Sequence, residues 1–221
     1  MNKARATQVL SPRAGQEEVC AFFGLDEAAC ARLALYVEEL ARWNARVNLV
    51  AASTLPQAWV RHVADGLQLL NHLPEEAEQV IDLGSGGGIP GLVMALAAPR
   101  RARYTLVEAN HKKCAFLRHV AQRAGVDITL HQKRIEQLAP DDIGAGPRSV
   151  IVARALAPLD RLLDMAAPLF ESSAVALLLK GQGAGREIEQ ARQAWHFDSQ
   201  ALPSVTDENG VIVKLWRVHR V

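Results

Sequence analysis

The chain has 221 residues, of which 49% are hydrophobic and 22% are charged, and this composition indicates a globular protein with one sizeable domain. Its formal net charge of +1 excludes neither acidic nor basic partners. Because the three cysteines include no Cys-x-x-Cys pair and the histidines are scattered, we expect neither a disulfide framework nor a metal site.

The N-terminal residues 1–15 mix charged residues with Ser, Pro and Gly, and they predict a flexible tail. They lack the apolar segment of a secretory signal. No apolar run approaches the ~20 residues that cross a bilayer. We therefore expect a cytoplasmic protein without a membrane partner.

Residues 16–75 predict a helical extension without strands. A first helix follows Asp26, a suitable N-cap, and a second begins near Pro56, which suits a first helical position. Each helix has an apolar stripe with intervals of three and four residues: Leu33, Tyr36, Val37, Leu40 and Trp43 in the first, and Trp59, Val60, Val63, Leu67 and Leu70 in the second.

Residues 76–221 predict an α/β domain, because strands alternate with helices as they do in parallel sheets covered on both faces. Asn209-Gly210 is a strong turn signal and predicts an antiparallel hairpin at the C-terminus. The predicted strands are residues 79–83, 104–107, 128–130, 150–153, 174–179, 197–202 and 211–218, and the predicted helices are residues 92–98, 112–124, 159–170 and 185–195.

The stretch VIDLGSGGGIPG, residues 80–91, joins the first of these strands to its helix. Ligands of open α/β sheets bind at such strand ends. Gly86, Gly88 and Gly91 fit the Gly-x-Gly-x-x-Gly pattern of nucleotide-binding loops. Glu108 ends the next strand, where a carboxylate can accept hydrogen bonds from both hydroxyls of a ribose. The loop therefore predicts a nucleoside site.

Asp82 decides which nucleoside we expect. Its carboxylate precedes the loop, where it would repel the pyrophosphate of a dinucleotide. The same charge suits a cofactor with an ammonium and a sulfonium group, and S-adenosylmethionine has both. The loop also lacks the Lys-Ser/Thr ending of nucleoside-triphosphate loops. The sequence thus favours S-adenosylmethionine.

Asp-x-Gly-x-Gly-x-Gly at residues 82–88, together with the terminal hairpin, resembles the class I S-adenosylmethionine-dependent methyltransferases, whose fold is Rossmann-like. Further motifs resemble the bacterial 16S ribosomal RNA guanine-N7 methyltransferases, also called the glucose-inhibited division protein B family, over roughly residues 30–220. The motifs are Trp43-Asn44, Asn48-Leu49, Arg61-His62 with Asp65, DLGSGGGIPG, RALAPL from Arg154, and Lys180-Gly181-Gln182.

The resemblance implies cofactor contacts at Gly84, Ile89, Ile135, Glu136 and Arg154. Gly87, Ile89 and Ala153 depart from the residues that are commoner in the family, but they remove no charged group. Together with the loop and strand-end residues, the full set of expected cofactor residues is Asp82, Gly84, Gly86, Gly88, Ile89, Glu108, Ile135, Glu136 and Arg154.

Methylation at guanine N7 requires no general base, because N7 carries a lone pair and no proton. After the fourth strand, VARALAPL has neither the Asn/Asp-Pro-Pro-aromatic signature of amine methylation nor the cysteine of a covalent pyrimidine route. Arg and Lys are the usual donors to the guanine edge. We therefore expect Arg154 and Lys180, at the ends of the fourth and fifth strands, to position the reaction, although Lys180 could equally reach solvent.

Two groups of residues are candidates for binding RNA. Residues 100–134 hold nine Lys/Arg and two Asp/Glu, a local charge of +7, and the remaining residues therefore carry −6. The alternative for this block is a solvated helix face. The second group consists of residues in the helical extension, and its alternative is an ion pair between Arg61 and Asp65. The candidates are Lys112, Lys113, Arg118 and Arg123 in the block, and Arg61 and His62 in the extension.

Two other functions stay open. The chain could be a small-molecule methyltransferase, which the basic block disfavours, or a non-catalytic NAD-binding regulator, which Asp82 disfavours. The expected partner is 16S ribosomal RNA or the small ribosomal subunit, and we expect a monomer.

Overall fold

A computed structural model describes residues 9–173 and 175–221. Residues 1–8 of the predicted tail, and residue 174, which was predicted to begin a strand, lie outside the described residues. Among the described residues, the α-helices are α1 Gln16–Phe23, α2 Glu27–Asn44, α3 Asp65–Leu67, α4 Gly91–Ala97, α5 His111–Ala124, α6 Pro140–Ile143, α7 Leu159–Met165, α8 Ala167–Ser172 and α9 Ala184–Ala191.

A seven-stranded sheet organises the molecule, with the strand order β3-β2-β1-β4-β5-β7-β6. The first five strands pair in parallel, and β7 lies antiparallel between β5 and β6. This confirms the predicted Rossmann-like sheet with its C-terminal hairpin. The strands are β1 Gln79–Leu83, β2 Arg103–Val107, β3 Thr129–His131, β4 Ser149–Arg154, β5 Val175–Lys180, β6 Trp195–Pro203 and β7 Val211–Arg220.

Apolar side chains cover both faces of the sheet and form two cores. One core packs α2, α4 and α5 against the sheet, and the other packs α7, α8 and α9. Because successive residues of a strand point to opposite faces, Val80 of β1 enters the first core while Ile81 and Leu83 enter the second. Successive strands run outward in one direction from β1 to β3 and in the other direction from β4, so the strand order reverses between β1 and β4. Open α/β sheets bind their ligands at such a point.

The first predicted helix of the extension is α2. Asp26 caps it, because its carboxylate accepts a hydrogen bond from Ala29 N–H at 2.7 Å. Leu33, Tyr36 and Leu40 are fully buried, as their spacing predicts.

The second predicted helix begins earlier than expected, at Ala52, and changes type along its length. A 3-10 turn, Ala52–Gln57, leads into a π-helical segment, Trp59–Ala64, which bears two of the candidate RNA-binding residues. The helix continues through α3 into another 3-10 segment, Gln68–His72. Wide π turns often occur at functional sites.

Two predictions for the C-terminal half are wrong in their boundaries. The helix predicted for residues 159–170 breaks into α7 and α8, and Pro168, which has no backbone N–H, lies in the first turn of α8. The helix predicted for residues 185–195 ends at Ala191, and Trp195 instead begins β6, where its side chain is buried.

Near the N-terminus, two residues of the predicted tail pack against the protein, and the expectation that no disulfide forms is wrong. Leu10 and Ala14 are buried, and Leu10 N–H donates to Val205 O at 2.8 Å, whereas the other described residues up to Arg13 are exposed. Cys20 and Cys30 form a disulfide, which an odd cysteine count did not predict. Their Cα atoms are 6.1 Å apart because α1 packs against α2, a contact that sequence spacing does not reveal.

Candidate active site

The glycine-rich loop between β1 and α4 turns its backbone toward a cavity. Gly84 and Gly86 have φ values of 69° and 54°, a left-handed conformation that favours glycine. A Cβ on Gly84 would lie 2.6 Å from Leu156 Cδ1, whereas a Cβ on Gly86 would first meet Gly84 O, at 3.7 Å. Gly84 therefore lets Leu156 pack against the loop, and Gly86 leaves space in front of it.

Beside this loop lies a cavity of about 350 Å³, here called the loop cavity. Glu108, at the end of β2, accepts hydrogen bonds from Gly86 N–H at 2.9 Å and from Asn110 N–H at 2.7 Å. The glycine-rich loop and the strand-end acid, which the sequence spacing associated, are thus in direct contact. The expected cofactor residues that line the loop cavity are Gly84, Gly86, Glu108, Ile135, Glu136 and Arg154.

Three expected cofactor residues, Asp82, Gly88 and Ile89, lie outside that lining. Asp82 is fully buried, and its Oδ2 accepts a hydrogen bond from Gly91 N–H at 3.1 Å. Burial raises the pKa of Asp82 to about 7. A Cβ on Gly88 would lie 2.8 Å from Leu92 Cβ, and Ile89 belongs to the core. The structure gives these three residues packing contacts that support the loop.

A larger cavity of about 660 Å³, here called the strand-end cavity, adjoins the loop cavity. The two cavities share a wall formed by Arg154, the last residue of β4, and by Ala155 and Leu156 directly after it. Ala155 has a φ of 48°, which is strained for a residue other than glycine and occurs preferentially at functional sites. The charged residues and the histidine that the sequence singled out around this cavity all line it, namely Arg61, His62, Asp65, Arg154 and Lys180.

The guanidinium of Arg154 is fixed by the helical extension. Its Nη1 donates to Arg61 O at 2.7 Å and to Asp65 Oδ2 at 3.0 Å, and the latter contact is an ion pair. Thr206 and Gln68 donate to the other oxygen of Asp65, each at 2.9 Å. The arginine is therefore held in one orientation at the shared wall.

The ion-pair partner of Arg61 and the charge of His62 differ from what the sequence suggested. Arg61 pairs with Asp207, at 3.3 Å, and not with Asp65 four residues later. His62 is buried, and its Nε2 lies 2.8 Å from Thr54 Oγ1. Burial, reinforced by the positive charge of Arg154, lowers the pKa of His62 to about 4. At neutral pH the imidazole is uncharged, so it offers no positive charge to a phosphate.

Lys180 does not reach into solvent. Its Nζ donates to Ala157 O and to Glu187 Oε2, both at 2.7 Å. Sequence reasoning missed Glu187 because it lies on α9, and no motif there marks it. It also missed Leu156, whose only signal was its place within RALAPL.

The basic residues of α5 have three different environments. Lys112 and Arg118 are exposed, while Lys113 is half-buried and lines the loop cavity. Arg123 forms an ion pair with the buried carboxylate of Glu39 on α2. Arg123 is also exposed, but unlike Lys112 and Arg118 it has an ion-pair partner within the protein.

Within residues 9–173 and 175–221, no group of three or more His, Cys, Asp or Glu side chains is arranged to hold a metal ion. The same residues include no helix with the length and apolar character that crossing a membrane requires.

Comparison with solved structures supports the fold. An O-methyltransferase from Bacillus cereus, in complex with SAH, superimposes with a TM-score of 0.54 at 15% identity, covering 82% of this chain and 90% of that chain. At this identity the likeness shows the methyltransferase fold alone.

Sequence comparison is more specific. The family model for rRNA small subunit methyltransferase G matches residues 29–212. The ribosomal RNA small subunit methyltransferase G of Parvibaculum lavamentivorans is 45% identical over 190 residues, which are 85% of this chain and 83% of that protein. The protein of the same name from Paramagnetospirillum magneticum is 42% identical over 206 residues, 93% of this chain and 97% of its own. The chain therefore belongs to the rRNA small subunit methyltransferase G family.

Proposed function

We propose that the protein transfers a methyl group from S-adenosylmethionine to N7 of a guanine in 16S ribosomal RNA. The observation that supports this most directly is the wall of Arg154, Ala155 and Leu156 between the two cavities. A displacement reaction requires donor and acceptor atoms to meet in line, and two adjoining cavities provide a place for each.

The residues of the loop cavity fit S-adenosylmethionine. Gly86 leaves open space, and Ile135 offers an apolar wall for an adenine ring. Each carboxylate oxygen of Glu108 accepts one backbone N–H, so the group retains acceptor capacity for the ribose hydroxyls. When bound, S-adenosylmethionine supplies a methyl group activated by its sulfonium.

The strand-end cavity would hold the target base. Arg154 acts there as a positioned donor, because its guanidinium does not lose its proton and cannot serve as a base. Guanine N7 has no proton to lose, so the proposed methyl transfer requires no general base. The protein's contribution is orientation of the two reactants, which can supply a large part of the rate.

We infer that Lys112, Lys113, Arg118 and Arg61 contribute to the RNA-binding surface. Lys112 and Arg118 are exposed on α5, whose apolar side faces the core. Arg61 lines the strand-end cavity, and its side chain is 45% exposed. We further infer that the protein acts as a monomer in the cytoplasm, on 16S ribosomal RNA or on the small ribosomal subunit.

Mass mapping of ribosomal RNA nucleosides tests this function. Cells that lack the gene are expected to lose one 7-methylguanosine from 16S ribosomal RNA, and the purified protein with S-adenosylmethionine is expected to restore it. Naked RNA and isolated small subunits are tested in parallel, since either one could be the substrate. A methyl group on a different atom, or activity on a small molecule with which RNA does not compete, would contradict the proposal.

A further inference from the structure

Lys180 and Glu187 form a fixed ion pair in the wall of the strand-end cavity. Lys180 Nζ is 2.7 Å from Glu187 Oε2, and Leu159 N–H donates to the same oxygen at 2.9 Å. Ala157 O accepts a second hydrogen bond from Nζ. The lysine side chain is only 10% exposed, so these contacts hold its ammonium beside the carboxylate.

Each partner of this pair retains one hydrogen-bonding position. An ammonium has three donors, and Lys180 uses two of them within the described part of the chain. Glu187 Oε1 has no hydrogen-bonding partner among the described residues, while Oε2 has two. The pair therefore presents one donor next to one acceptor, and both residues line the cavity.

Both oxygens of each of the other cavity carboxylates already accept a hydrogen bond within the protein. Asp65 accepts from Thr206 and Gln68 at one oxygen and from Arg154 at the other. The two oxygens of Asp207 accept from Arg61 and from the Asn209 N–H. Within residues 9–173 and 175–221, Glu187 is the cavity carboxylate that has one oxygen without any hydrogen bond.

We propose that Lys180 and Glu187 select guanine by its O6 and N1–H groups. Lys180 Nζ donates to O6, and Glu187 Oε1 accepts from N1–H. Adenine has an amino group in place of O6 and a lone pair in place of the N1 proton, so both contacts become unfavourable. N1–H lies on the Watson–Crick edge, and a single donor that reaches O6 from that side leaves the neighbouring N7 lone pair free for methylation. This inference rests on the proposed function, because it concerns the base methylated in that reaction.

A modified RNA separates base selection from general loss of activity. The methylated guanine, once mapped, is replaced by 2-aminopurine through ligation of RNA fragments. 2-Aminopurine keeps N7, lacks O6, and carries a lone pair on N1. The measured quantity is the ratio of kcat/KM on the guanine RNA to kcat/KM on the 2-aminopurine RNA, for each enzyme. Comparing enzymes cancels the intrinsic difference in N7 reactivity between the two bases.

We expect Glu187→Gln to lower this ratio by about tenfold or more, because the amide can donate to the N1 lone pair and the carboxylate cannot. Lys180→Met removes the donor to O6 and is expected to lower the same ratio. Glu189→Gln, an exposed change on the same helix α9, is the matched control and should keep the wild-type ratio.

A structural defect would lower activity on both RNAs and leave the ratio unchanged, so the ratio reports recognition of the base. If one variant fails to fold, the other still carries the test. Wild-type ratios in the folded variants would overturn this inference. A wild-type enzyme that leaves guanine N7 unmethylated would instead overturn the proposed function.

Discussion

At the scale of single residues, Arg154 has the most direct role in the reaction we propose, because it lies on the wall shared by both cavities. Arg154→Ala removes a positioned charged donor and is expected to lower kcat/KM by about 30- to 1000-fold. Arg154→Lys should restore only part of the rate, since an ammonium lacks the planar guanidinium fork, in which Nη1 contacts Arg61 O and Asp65 while the remaining N–H groups keep a fixed direction.

Methyl-transfer kinetics and thermal melting without ligand measure this effect. Arg186→Ala, an exposed arginine on α9 outside both cavities, is the control and should leave the rate unchanged. Methylation by Arg154→Ala at the wild-type rate, with an unchanged melting temperature, would remove Arg154 from the site.

His62 gives a pH dependence with a definite sign. Its pKa is about 4 in the folded protein, against an ordinary value of 6.5, because it is buried and lies near the charge of Arg154. Between these values the unfolded chain binds a proton that the folded chain does not, so folding stability falls as the pH decreases from 6.5 to 4. His62→Asn lacks this contribution.

We therefore expect the wild type to lose about 2–3 kcal/mol of stability relative to His62→Asn between pH 7 and pH 4.5. Urea unfolding at both pH values measures the difference. Asp82, whose raised pKa has the opposite effect across this range, is present in both proteins and cancels. A difference that does not change with pH would show that His62 titrates normally.

At the scale of elements, α5 combines a surface role with a structural one. Arg123 and His119 both contact the Glu39 carboxylate, which is 1% exposed. Burial alone would raise the pKa of Glu39, but the hydrogen bond with His119 and the charges of Arg42, His119 and Arg123 lower it overall. This part of α5 therefore fastens the helical extension to the sheet domain.

Substitutions on α5 should separate these two roles. Lys112→Ala and Arg118→Ala are each expected to reduce the slope of log affinity for RNA against log salt by about one, because each removes one phosphate contact. Arg123→Ala should leave that slope unchanged and destabilise the fold by about 1 kcal/mol, since its ion pair is partly exposed to solvent. Salt-dependent RNA titration and urea unfolding measure the two effects.

The opposite pattern would contradict this division of α5. A slope that changes with Arg123→Ala and not with Lys112→Ala would place the RNA contacts at the C-terminal end of the helix. No change for any of the three variants would make this face of α5 a solvated surface.

At the scale of the whole molecule, the sequence predicted the features that depend on neighbouring residues in the chain, and it missed a contact between distant segments. The glycine loop and Glu108 were predicted together, because both follow strands of a parallel sheet and such strand ends meet at one edge. The contact between Arg154 and Asp65 joins residues 89 positions apart and depends on how the π-helical segment packs beside β4. Sequence spacing instead suggested Arg61 as the partner of Asp65, since the two lie one helical turn apart.

Ligand binding distinguishes the proposed methyltransferase from an NAD-binding regulator. S-adenosylmethionine at about 100 times its Kd should stabilise the folded state by about 2.7 kcal/mol. In a chain of this length, that gain should raise the Tm by roughly 5–10 °C. NAD is expected to give no comparable shift, because the loop cavity of about 350 Å³ is suited to one nucleoside with a short side chain.

Gly86→Val is the control for this measurement. It places a branched side chain at a φ of 54°, in the space that a cofactor would need, so its own Tm falls while the shift with S-adenosylmethionine disappears. Each protein is therefore compared with its own ligand-free melting curve. A shift with NAD and none with S-adenosylmethionine would contradict the assignment of the loop cavity. A shift that survives Gly86→Val would place the cofactor away from the glycine loop, because a side chain at residue 86 occupies the space in front of that loop.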